Sequence, residues 1–508
     1  MSRASSTVIA LLFGGVILSG CTESGDNDDA FEPGGGASGG QVPDTSPVGE
    51  RQPPIDAEPP AIDAGSTFFY FSYDESSSTA SRDLALFALA GGRRPAPDLG
   101  RPYEFLNAES FERFDARAVG DFEVSMTLRR AEPGELPSAA PPEGRLYALG
   151  VNVEGPAQPL AERRNVVLTV LVDVSGSMQT PYASETRGDV SSLLDVVKYG
   201  LTRIGGSMKA GDELNLVTFS STADVIAEGL DGTAGQFESL IASLATETST
   251  DIGRGVDLAY QVANRRFDPD KANRVLILTD AQVNSGQLDP AIIAAATVRG
   301  ELEGIRFSAI GVGSGFDDRV LNTISEAGRG SYSAMITPND AERLFTDGFS
   351  RFVAPAATNV RFRLDYPQAL NQLRSFGEEI STDPDAVRPT NFSYDSDQFF
   401  LELFQGADSL PGDGAFTLDI EYTDTDGERR EVSLTRNVDD LLATTTDALD
   451  AAFAVTTLAE LIGERIDCGT VQQSALYTQP VQQATYALYR QNIERFCAQA
   501  APYDYVYR

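Results

Sequence analysis

The sequence predicts a doubly wound α/β domain set between β-rich, sandwich-like segments and followed by a helical tail. Three observations carry this. Residues 164–353 alternate strand-like apolar runs with helix-spaced segments, which implies a mostly parallel sheet with helices on both faces. The first run, Val166-Val-Leu-Thr-Val-Leu-Val172, is apolar without alternation, as in a strand covered on both sides. Outside that segment, runs such as 122–128, 359–365 and 416–422 alternate at period two, the pattern of strands with one covered face.

The chain has 508 residues, 41% of them hydrophobic, enough for several ordinary globular cores. Its formal charge of −36 repels phosphate backbones, so no nucleic-acid partner is expected. Histidine is absent, which excludes histidine-based triads and histidine-ligated zinc within the chain. No Gly-x-x-x-x-Gly-Lys-Ser/Thr loop occurs, which weighs against a P-loop nucleotidase.

Residues 1–20 read as a signal segment: Arg3, then a short apolar run over 7–18, too short and Gly-rich for a membrane span. The segment ends in Leu18-Ser-Gly-Cys21, which resembles the lipobox of bacterial lipoproteins. That resemblance implies lipidation of Cys21, and Thr22 rather than Asp after it implies delivery to the outer membrane. Residues 21–65 are rich in Gly, Pro, Asp and Ser and too poor in large apolar residues to fold. Such a tether reaches on the order of 150 Å extended and spans about 40 Å as a flexible coil. Residues 66–163 form an α+β companion region. Strands are expected at Phe68-Phe-Tyr-Phe-Ser-Tyr73, 122–128 and 146–153, with helices over 79–90 and 103–114.

The α/β segment covers 164–353. Its first strand ends in Asp173, Ser175 and Ser177, a carboxylate and two hydroxyls at alternate positions. Ligands of open α/β sheets bind at the carboxyl ends of strands, and hard oxygen donors clustered there suit Mg²⁺. Taken alone, the same residues also read as a strand followed by a Ser/Gly turn. A helix over 190–208, with Asp189 as its N-cap, follows. Strands at 214–219 and 223–230, a helix around Phe237 to Leu244 and a helix over 252–267 come next, then the strand 274–279 before Asp280. A helix over 292–302, a strand over 306–312, a helix over 318–327, a strand over 331–336 and a helix over 340–352 complete the alternation.

Asp173-x-Ser175-x-Ser177 resembles the first element of the metal-ion-dependent adhesion site of von Willebrand factor type A (VWA) domains. Thr250, in Thr248-Ser-Thr-Asp-Ile-Gly253, and Asp280, in Leu278-Thr-Asp-Ala281, match the order and spacing of the other two elements. The chain departs from the family pattern at Ala281, where Gly is usual, while Asn284 and Gly286 follow as expected. The resemblance implies a VWA fold of Rossmann-like order over 164–353. It implies that Ser175, Ser177 and Thr250 bind Mg²⁺ or Mn²⁺ through hydroxyls, with Asp173 and Asp280 acting mostly through bound water. It also implies a protein partner whose carboxylate completes the octahedron. Residues 66–163 resemble, more weakly, the segment that precedes the VWA domain in bacterial VWA lipoproteins.

Residues 354–437 return to alternating strands, expected to join the strands of 66–163 in one sandwich into which the VWA domain is inserted. Thr423-Asp-Thr-Asp-Gly-Glu428 reads as a hairpin turn, lacking the length and terminal Glu of an EF-hand loop. Residues 438–508 read as helices, over 441–466 and 481–498. With Cys21 lipidated, Cys468 and Cys497 remain, and an oxidising envelope favours a disulfide between them, two free thiols being the alternative. Tyr503-Asp-Tyr-Val-Tyr507 is open between packing and binding. The sequence supports a membrane-anchored binding or scaffolding module over an enzyme, because no base stands beside Ser175 to activate it. The alternative is an envelope assembly or maturation factor that docks on a multi-protein complex without metal.

Overall fold

In the computed structural model, residues 62–63, 65–73, 77–131, 144–182, 190–233, 235–282, 286, 289–444, 446–474 and 483–499 are described. The signal segment, Cys21, nearly all of the linker, Asp189, Asn284 and the tyrosine-rich end lie outside them. Before the α/β segment come β1 (Phe68–Phe71), β2 (Arg117–Val119), β3 (Phe122–Ala131) and β4 (Arg145–Glu154). Within it run β5 (Val166–Asp173), β6 (Glu213–Phe219), β7 (Ala223–Asp231), β8 (Ala272–Thr279), β9 (Ile305–Val312) and β10 (Arg329–Met335). After it follow β11 (Pro355–Asp365), β12 (Leu370–Ser375), β13 (Ile380–Ser381), β14 (Thr390–Ser393), β15 (Asp397–Gly406), β16 (Ala415–Thr423) and β17 (Arg429–Asn437).

The α/β sheet has the order β10-β9-β8-β5-β6-β7, parallel throughout except for the antiparallel edge strand β7. Every residue of β5 and β8 is buried, as their unbroken apolar runs require when helices cover both faces. Strand order reverses between β5 and β8, so the carboxyl ends of these two strands flank the topological switch point. Helix Leu193–Ser207 starts at Ser192 rather than Asp189: Ser192 and Asp195 form a capping box that satisfies two end donors reciprocally.

The other two sheets interleave residues from both sides of the α/β segment. One has the order β13-β1-β11-β16-β17, with β14 also on β11; the other is β12-β15-β4-β3-β2. β1 pairs with β11 and β4 with β15, each antiparallel across the whole inserted domain. Their inner faces share one aromatic core, in which Phe71, Phe362 and Phe400 meet with ring centroids 4.6–5.6 Å apart. β17 is a charged, largely exposed edge, a composition that discourages pairing with another chain. At the β16–β17 hairpin Asp424 accepts the backbone N–H groups of Asp426 and Glu428, and Gly427 takes the left-handed φ the turn needs.

Helix Ala448–Ile462 is buried almost all round because it lies over the outer face of the second sandwich sheet. A Cβ at Gly150 of β4 would come 2.8 Å from Phe399 and 3.0 Å from Leu449, so glycine lets this helix approach. The helix expected over 441–466 is two, Val438–Ala443 and Ala448–Ile462. Between them the Thr446 hydroxyl accepts the Ala448 N–H and the Thr444 carbonyl accepts from Thr127. The helix expected over 103–114 spans only Pro102–Asn107, since Phe111 leaves the helix path to stack on Phe399 at 4.1 Å. The helix expected over 340–352 is interrupted by a wide turn, with Gly348 N–H bonded to the Arg343 carbonyl at 2.9 Å. Cys468 and Cys497 form a disulfide, which ties helix Cys468–Gln472 to helix Ala484–Ala498 and contributes about 3.6 kcal/mol in the chain-entropy model. Among the described residues, no helix is long and apolar enough to cross a membrane.

Candidate functional site

The site begins where β5 runs out of sheet. Asp173 and Ser175 are fully buried and Ser177 is half-buried, on the short turn Gly176–Gln179 that follows the strand. Both oxygens of Asp173 are held. Oδ1 accepts the Ser175 N–H at 2.8 Å, and Oδ2 accepts the Thr279 hydroxyl at 2.5 Å. The Ser175 and Ser177 hydroxyls lie 2.9 Å apart. That spacing is close to the edge of an octahedron with metal–oxygen bonds of 2.0–2.1 Å, about 2.9 Å.

Asp280 enters from the end of β8, the parallel neighbour of β5. Its Oδ1 accepts the Gln282 N–H at 3.2 Å. Its Oδ2 is buried and takes no hydrogen bond from a described residue in good geometry, a cost ordinarily relieved by a partner or an ion. The nearby Ser177 hydroxyl favours the charged form but does not outweigh burial, so the carboxyl is held above its usual range. Asp173 is pushed up to about 7, first by burial and then by the facing Asp280, against the opposing bonds from Thr279 and Ser175.

Thr250, also buried, sits on a loop sewn to the exits of β5 and β6. Glu247 N–H bonds to the Val174 carbonyl, Ser221 N–H to the Thr248 carbonyl and Asp251 N–H to the Ser220 carbonyl. Asp251 then caps helix Ile252–Arg265 by accepting the Arg254 N–H at 3.1 Å. Gly286 closes against this loop; a Cβ there would collide with the Asp251 carboxylate. The five residues read from the sequence therefore come to the carboxyl ends of three neighbouring strands, β8, β5 and β6, around the switch point. Thr279 was not among them. Its signal was a hydroxyl closing an otherwise apolar strand, and its contact depends on the register that sets β8 beside β5.

Two residues flanking the site hold left-handed backbone without being glycine, Ser249 at φ +59° and Ala281 at φ +51°. For an L-residue this costs about 1 kcal/mol, strain of the kind that gathers at functional sites. Glycine would take the φ of Ala281 without that cost.

As to what this donor set can hold, three hydroxyls and two carboxylates make a hard, all-oxygen set of low charge, the chemistry of Mg²⁺ or Mn²⁺. Among the described residues no group of three or more Asp, Glu, Cys or His is placed to hold a metal ion. A cation here must rely on the hydroxyls. The orphaned Asp280 Oδ2 and the close hydroxyl pair fit that ion.

Residues 168–282 match the family model of the von Willebrand factor type A domain. Among curated relatives, the uncharacterized protein YfbK of Escherichia coli K12 is 26% identical over 291 residues, 57% of this chain and 48% of that protein. The inter-alpha-trypsin inhibitor heavy chain H3 of Mus musculus is 24% identical over 265 residues, 50% of this chain and 27% of that protein. The chain thus spans about half the length of the first of these and less of the second. Among solved structures, a von Willebrand factor type A protein from Catenulispora acidiphila is 14% identical, covering 70% of this chain and 82% of that one with a TM-score of 0.41. The ArnB paralog VWA2 from Sulfolobus acidocaldarius is 14% identical, covering 75% of this chain and 98% of that one with a TM-score of 0.39.

Proposed function

We propose that this chain is a lipid-anchored envelope protein whose VWA-type domain holds one divalent cation and, through it, the carboxylate of a protein partner. The observation that supports the reading most is the meeting of Asp173, Ser175, Ser177 and Asp280, with a buried carboxylate oxygen of Asp280 that takes no hydrogen bond in good geometry. Ser175, Ser177 and Thr250 would hold the ion, and Asp173 and Asp280 would hold its waters. When bound, Mg²⁺ supplies a Lewis-acidic position that an acidic side chain can fill. The chain's own part is to fix the donors: Thr279 and the Ser175 N–H lock Asp173, and the Gln282 N–H orients Asp280.

Binding rather than catalysis is the reading for the same residues. The Ser175 hydroxyl faces the Ser177 hydroxyl instead of a general base, and the chain has no histidine to serve as one. Anchoring rests on the sequence around Cys21, and outer-membrane delivery on Thr22.

Hydrogen exchange tests the metal part without needing the partner. Adding Mg²⁺ is expected to slow exchange in 174–180, 247–251 and 280–282, and EDTA to reverse it. No change in wild type, or an equal change in Asp280→Ala, would remove the reading. For the anchor, Cys21→Ser is expected to move the protein from the membrane fraction to the soluble one; an unchanged distribution would refute lipidation.

A further inference from the structure

At the opposite end of the α/β sheet, the amino ends of β8, β9 and β10 carry Arg274, Arg306 and Arg329. Arg274 and Arg306 are direct neighbours in the parallel pairing of β8 with β9. Like charges side by side in a sheet are unfavourable, more so when buried, and Arg274 is only 7% exposed. Arg351, exposed, approaches from helix Phe349–Val353. Together with Ser308 and Asn391, these arginines line a cavity of about 20 Å³.

What neutralises these guanidiniums is not in proportion to their charge. Arg274 donates to the carbonyls of Phe352 and Asn273, which carry no net charge. The Arg306 side chain makes no hydrogen bond or ion pair with a described residue. The acid acting on it, Glu301, lies 3.5 Å from Arg329 instead. Arg351 donates to the Asp395 carbonyl. This happens in a chain with 75 acidic and 39 basic residues, where a carboxylate partner is easily found. At the same end of the same sheet, Arg163 has one: Asp212, bonded at 2.5 and 3.0 Å with both side chains fully buried.

We propose that the cavity between Arg274, Arg306 and Arg329 is a binding site for a small oxyanion of the carboxylate or phosphate class. Guanidinium forks match the geometry of such groups. The volume exceeds the 10–15 Å³ or so that one water needs, which suits the head of an oxyanion with the rest toward the opening. Burial and the neighbouring cations push Arg274 well below its ordinary range. Burial, offset in part by Glu301, takes Arg306 to about 10, so it remains charged at neutral pH and an anion relieves it. The cavity is also lined by Pro355, where the chain leaves the α/β domain, and by Asn391 and Ser393 of the sandwich. A bound oxyanion therefore ties the inserted domain to its host.

The test is thermal unfolding of the full chain in phosphate, acetate and chloride at matched ionic strength, beside Arg306→Gln. Wild type is expected to gain stability saturably at millimolar phosphate or acetate and far less in chloride. Arg306→Gln should equal or exceed wild type in anion-poor buffer and lose the saturable gain. Arg306→Lys, which keeps the charge without the fork, should weaken apparent affinity about ten-fold. Acetate serves for a carboxylate donated by another segment, and phosphate for a free ion. Hydrogen exchange at 352–357 and 390–393 should slow with the effective anion. An identical response of wild type and Arg306→Gln would mean general salt effects only and would overturn the proposal, as would chloride acting as well as the oxyanions.

Discussion

Two places in the α/β sheet handle buried charge in opposite ways. At the amino end of β5 and β6, Arg163 and Asp212 neutralise each other, and Asp212 also accepts the N–H groups of Val166 and Lys209. At the carboxyl ends of β5 and β8, Asp173 and Asp280 face each other with no cation between them among the described residues. The first arrangement is closed, with every charge answered inside the chain. The second is open, and its like charges are tolerable only if a proton or a cation joins them. The difference separates a buried ion pair that serves the fold from a buried acid pair that, on the proposed function, is kept for a cation.

Breaking the closed end should have the largest effect on stability. Asp212→Ala leaves Arg163 buried and unpaired and is expected to cost about 3–5 kcal/mol. Chemical denaturation measures it, and a loss below about 1 kcal/mol would mean that the pair is not buried as described.

A buried carboxylate with neither cation nor ligand provides the reference for both ends. Glu402 on β15 is fully buried, accepts the Ser375 hydroxyl at 2.7 Å, and is pushed by burial from 4.5 to about 8. The sign follows from proton counting. Below about pH 4.5 the folded and unfolded states both hold the proton, whereas between 4.5 and 8 only the folded state keeps it. Stability should therefore fall as pH rises across that window, by a few kcal/mol. Glu402→Gln should flatten this part of the pH–stability curve, and an unchanged slope would count against a protonated Glu402.

The smallest effect concerns strain beside the open end. Ala281→Gly is expected to stabilise the protein by about 1 kcal/mol by freeing a left-handed φ of +51°. Destabilisation on thermal melting would mean that the methyl contributes packing that outweighs the strain.

Much of this was legible in the sequence because the signals are local. β5 and β8 announce themselves as unbroken apolar runs, and Asp173, Ser175 and Ser177 are three alternate positions where β5 ends and its turn begins. The joining of strands from both flanks was also expected, since period-two runs on either side each need a partner face. What depends on register between distant strands was not legible. Thr279 looks like the last residue of a strand until β8 is placed beside β5. Arg274 and Arg306 look like ordinary polar strand starts until they become neighbours. The run from 441 to 466 read as one helix because its Ala and Leu content hides the threonines that stop it. The start of helix Leu193–Ser207 was misplaced because Asp189 and Ser192 are equally good caps by type, and only Ser192 meets Asp195.

Calorimetric titration of the full chain with Mg²⁺ and with Mn²⁺ tests the central claim most directly, with Asp280→Ala and Thr250→Ala alongside. Wild type is expected to bind one ion, and both variants to lose it while melting cooperatively. Absence of binding in wild type, or equal binding in the variants, would contradict a cation held at the carboxyl ends of β5 and β8.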